Sequence, residues 1–164
     1  MQSLSDRLKY LRSREILAAF ALPAVIVWSW IDKGGDVAWP MRLGALALLV
    51  YILFQGAYYW HLKLRLLDHQ EPLPSYFRTL FMGFNRSNRI AIVGLLVVMA
   101  VADGGSVNEA DIGWTAGLLL GAILEQINYY HYQLMYDTRA SINYVRRNRR
   151  LRKAALGTDI ARAA

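Results

Sequence analysis

The chain has 164 residues, 55% of them hydrophobic, with a formal net charge of +7 and no cysteine. That length bounds it to one domain, and a mean hydropathy of +0.21 exceeds what a soluble domain of this size needs. Disulfides, thiolate metal sites and cysteine catalysis are excluded by composition.

In chain order, four apolar stretches stand out. Residues 16–31 are free of charge and come close to the roughly 20 apolar residues that a membrane-spanning helix needs. Pro23 falls inside them and predicts a kink. Asp32, Lys33 and Gly34 follow, a poor cleavage site, so the stretch does not read as a removable secretory signal. Residues 43–61 are also free of charge, and residues 43–54 show no polar face at helical spacing, which argues against a soluble bundle. The connector after them carries Pro72 and Pro74, and residues 76–84 predict a short surface helix. Residues 90–102 are apolar but short; they span only if residues 80–84 join the same helix or Arg89 reaches the headgroups. Residues 112–135 contain Glu125 as their single charge. The expectation is an all-α integral membrane protein with four transmembrane helices.

Charge distribution orients these spans. Of nineteen Lys and Arg, four lie in residues 1–15, five in 62–89 and eight in 137–164, which leaves Lys33 and Arg42. This positive-inside bias predicts a multi-pass protein of the plasma (inner) membrane with both termini in the cytoplasm. The basic tail, 138–164, is then most simply a contact with anionic lipid headgroups, and such a distribution makes nucleic acid an unlikely partner.

Short echoes run in the same order through both halves. Arg12 and Ser13 before the first span match Arg86 and Ser87 before the third, and Trp39 matches Trp114. Tyr59 matches Tyr129, His61 matches His131, and Leu64 matches Leu134. Their collinearity predicts two tandem two-helix repeats, about 1–68 and about 76–137. Both copies enter the membrane in the same orientation, so a pseudo-twofold axis runs along the membrane normal. Equivalent residues such as Gln55 and Glu125 can then approach one another.

Polar residues inside the spans are candidates for function because hydrocarbon penalises them. Gly113, Gly117 and Gly121 recur every fourth residue, a stripe suited to packing within the bundle or to a homodimer. Glu125 continues that stripe. Asn128, His131 and Tyr132 complete a polar sector of about 120°, and Gln55, Tyr58 and His61 trace its counterpart. The aromatic and histidine residues also suit an interfacial belt. A salt bridge from Glu125 to Arg86 or, better, Arg89 is the structural alternative.

Four functions fit this pattern. The first is binding or transport of a small ligand or ion through a cytoplasm-facing polar cavity around Glu125, with Asn128, His131, Tyr132, Gln55, Tyr58, His61 and Arg89 nearby. The second is a b-type haem carrier ligated by His61 and His131. A third is a non-catalytic assembly or accessory subunit of a membrane complex. An enzyme acting on lipid headgroups is the fourth, but no nucleophile elbow, HExxH or phosphate-binding glycine loop supports it.

Overall fold

A computed structural model describes residues 4–33, 37–102, 107–136 and 139–163. These form six helices: α1 (Leu4–Lys33), α2 (Trp39–Asp68), α3 (Phe77–Val101), α4 (Glu109–Tyr130), α5 (Arg139–Asn148) and α6 (Ala155–Arg162). Extended pairing among the described residues is limited to an isolated bridge between Tyr132 and Lys153.

Three helices, α1, α2 and α3, are long and apolar enough to cross a membrane. At 30 residues, α1 and α2 are each about 45 Å long, well beyond a hydrocarbon core of about 30 Å. Helix α4 has 22 residues, hence about 33 Å of length. It is not among the three, and Asp111, Glu125, Gln126 and Asn128 all lie in it.

Helix α3 begins at Phe77, so residues 80–84 belong to the third span and do not form a separate surface helix. The cause is packing. Phe77 and Phe81 are buried, and both rings lie against Tyr59 of α2. Arg89 therefore sits well inside a 25-residue helix rather than opening it.

Helix α2 is the central element, with α1 packed along one side and α4 along another. Its buried row includes Ala45, Leu49, Ile52, Leu53, Tyr59 and Leu62. The outer helices leave apolar rows uncovered: Leu17, Phe20, Val25 and Trp28 on α1, and Ile90, Val93, Val97 and Val101 on α3. Apolar rows bare to this extent suit lipid better than water. The packing is not symmetric between the halves, since α1 lies along α2 far more closely than α3 lies along α4.

The expected glycine stripe divides. Gly121 packs on Leu49, whose methyl carbons lie 3.7 and 3.8 Å from the position a Cβ would take. Gly113 and Gly117 face open space and line a shallow groove with Ala110, Trp114 and Leu118.

The end of the chain folds back. Leu156 is buried, and Gly157 lies so close to the Tyr130 carbonyl that a Cβ there would stand 2.3 Å from its oxygen. Asp159 accepts a hydrogen bond from the Tyr59 hydroxyl at 2.7 Å and pairs with Lys63 at 2.9 Å. Backbone bonds from Gln133 to Arg152 and from Ala154 to His131 hold the approach. The segment expected as a basic tail thus ends in a helix docked on the bundle.

Candidate functional site

Three polar clusters lie along the bundle. The first joins the starts of α2 and α4. Asn108 caps α4 reciprocally with Asp111, each side chain taking the other's backbone N–H. The buried Asp111 carboxylate also pairs with Arg42 at 2.5 Å and accepts from the Ala38 backbone at 3.1 Å. The Arg42 guanidinium lies 5.4 Å from the centre of the Trp30 ring, and Trp30 in turn meets Trp39 and Trp114 edge-on. This acid has its charge and lone pairs met.

The second cluster lies deeper. Gln55 of α2 and Asn88 of α3 exchange two amide hydrogen bonds of 2.9 Å. Asn88 also donates to Gln126 of α4 at 2.7 Å, and Gln126 donates to Asn85 at 2.7 Å. The Tyr130 hydroxyl donates to Gln55 at 2.8 Å. Gln55, Asn88 and Gln126 are all buried. A buried amide network this complete fixes the register of three helices.

The third cluster differs. Glu15 of α1 and Glu125 of α4, both partly buried, flank the hydroxyl of Tyr129. Tyr129 is 3% exposed, yet its hydroxyl makes no well-formed hydrogen bond to either carboxylate. Gly56 is what lets that ring reach α2, because a Cβ on residue 56 would lie 2.3 Å from the Tyr129 oxygen. Glu125 accepts from the Asn128 amide at 3.3 Å, while the Asn128 carbonyl takes the Leu134 backbone N–H at 2.9 Å. Two carboxylates set against one buried hydroxyl repel each other unless a proton or a cation compensates them.

The sequence-predicted residues are dispersed among these surroundings. Glu125 and Asn128 stay together, whereas Gln55 joins the amide network. Tyr58 bonds Tyr76 at 3.1 Å and stacks on Phe81. His61 stands 3.4 Å from Arg12 on the seam between α1 and α2. His131 is the exposed cap of α4, and Tyr132 is exposed beside Lys153. Among the described residues no hydrogen bond or ion pair joins His61 to His131. Arg89 is exposed and donates to the Asn85 carbonyl; neither it nor Arg86 pairs with Glu125. The anticipated salt bridge is therefore not formed. The arginine face of α3 turns outward, and amides face the bundle in its place.

Glu15 is the residue that sequence reasoning missed. It directly precedes the charge-free run at 16–31, which marks the first span in the sequence. Helix α1 starts at Leu4, however, which carries Glu15 a full three turns into the helix. Among the described residues no three His, Asp or Glu converge as metal ligands. No known family model, no curated protein and no solved structure matches this chain, which leaves the chemistry of its own residues to indicate function.

Proposed function

We propose that this is a small polytopic membrane protein that binds a small monovalent cation, and exchanges it for a proton, at the Glu15–Tyr129–Glu125 cluster. The observation that carries the reading is the buried Tyr129 hydroxyl, set between two carboxylates from different helices and well bonded to neither. A guest cation supplies the missing charge and takes the hydroxyl oxygen as a further donor atom. Asn128 adds an amide beside Glu125. In this reading α4 is the fourth span, the two helix pairs are diverged repeats, and the basic segments face the cytoplasm of the inner membrane. Transport then requires a path across the membrane, which a second copy would complete.

Proton release tests this. Purified protein in weakly buffered detergent is titrated with Li⁺, Na⁺ or K⁺ while pH is followed. Release of protons by one of the three is expected, and Glu125→Gln should remove it without loss of helicity. Silence of the wild-type protein towards all three would overturn the reading.

A specific observation also favours an assembly or accessory role. The amide network of Gln55, Asn88, Gln126 and Asn85 is satisfied internally, as expected of groups that only fix helix register. Unchanged activity of a partner complex carrying Glu15→Gln and Glu125→Gln would select that role.

A further inference from the structure

A groove of about 420 Å³ runs along the seam between α1 and α2, on a face the proposed cation site does not use. Its lining changes character along its length. One end carries Arg12, Tyr58 and His61, and the other carries Ile16, Phe20 and Phe54. Arg12 and Phe20 lie eight residues apart on one helix, so the polar and apolar ends are separated by about 12 Å along the axis. Phe20 and Phe54 close the apolar end edge-to-face, with ring centres 5.5 Å apart.

Among the described residues, no ion pair is formed by the Arg12 guanidinium at the polar end. Among the described residues the single side-chain contact of Arg12 is His61 Nδ1, at 3.4 Å. A guanidinium only donates, and the His61 ring lines the same mouth beside it. A positive, donor-rich mouth above an apolar trough matches an amphiphile with a phosphate at one end and a hydrocarbon chain at the other. Arg12 also stands just before the charge-free run at 16–31, the level at which headgroups meet the hydrocarbon core.

We propose that this groove is a specific site for an anionic phospholipid. The phosphodiester sits at Arg12 and His61, and one acyl chain lies along Ile16, Phe20 and Phe54. The site is distinct from the diffuse attraction of headgroups to the arginines at 146–153.

Native mass spectrometry of the full chain, released from detergent with phosphatidylglycerol, phosphatidylcholine or inorganic phosphate, tests the proposal. The wild-type protein should retain one phosphatidylglycerol at least tenfold over phosphatidylcholine. Arg12→Gln should lose that preference. Ile16→Trp, which fills the trough and leaves the charge, should weaken retention of phosphatidylglycerol at least fivefold. A double variant, Arg146→Gln with Arg147→Gln, should keep the preference. Circular dichroism establishes that each variant is helical. If Arg12→Gln and Ile16→Trp both retain the lipid as the wild type does, the proposal is wrong. Displacement of the lipid by millimolar inorganic phosphate would also overturn it, since the site would then belong to a free anion.

Discussion

Two partly or fully buried acids on α4 show opposite solutions to one problem. Asp111 stands at the start of the helix and Glu125 fourteen residues on, about 21 Å along the axis. Asp111 has Arg42, two backbone N–H groups and a tryptophan cage around its partner. Glu125 has one long amide bond, a second carboxylate nearby and a tyrosine hydroxyl that is well bonded to neither acid. Burial of an acid is therefore not itself a sign of function. What separates the two is whether the surrounding groups already neutralise it: they do at Asp111, whereas at Glu125 the proposed function assigns that work to a guest cation.

The comparison can be broken most forcefully at its structural end. Asp111→Ala strands the Arg42 guanidinium in a buried site and should cost about 3–5 kcal/mol. Denaturant titration in micelles reads this directly. A loss no larger than that of a surface substitution would remove the contrast. Next in size is Gly56→Ala, where the new methyl meets the Tyr129 ring. Overpacking of this kind costs about 1–3 kcal/mol, and it should also weaken any cation-linked proton release by moving the hydroxyl.

Glu125→Gln and Glu15→Gln sharpen the contrast from the other side. Each removes one of two repelling carboxylates, so stability should hold or rise slightly while cation-linked proton release disappears. Destabilisation by several kcal/mol in both would make them structural acids like Asp111. The smallest effect belongs to Gly117→Ala, whose methyl enters open space. It should leave monomer stability within about 0.5 kcal/mol. If a second copy packs on that groove, sedimentation should show the dimer weakened.

The helical architecture was legible because hydrocarbon-length apolar runs need no partner to be recognised. Gln55 and Glu125 stood out for the same reason, being polar within apolar runs. The partners were not legible. Arg42 and Asp111 lie 69 positions apart, and each looked like an ordinary connector charge. Asn85, Asn88 and Gln126 lie beside charged or polar neighbours that hid their inward face. Glu15 was misplaced because the helix boundary was drawn at the last charge, while the helix continues for three turns beyond it towards the chain start. The apparent histidine pair illustrates the converse. Equal spacing in the two halves did not give equal surroundings, because α1 lies along α2 more closely than α3 lies along α4.

The docking of α6 has a consequence for the order in which the molecule is assembled. Tyr59 and Asp159 are 100 residues apart, and synthesis at about 5–20 residues per second separates their appearance by roughly 5–20 s. Throughout that interval α2 is already made, with the Tyr59 hydroxyl and the Lys63 ammonium lacking their carboxylate. Helices α1 to α4 are therefore all made before their clasp, and α6 docks on elements that already exist. A fusion or truncation that removes α6 should act late, on the finished protein's lifetime, and leave insertion itself unchanged.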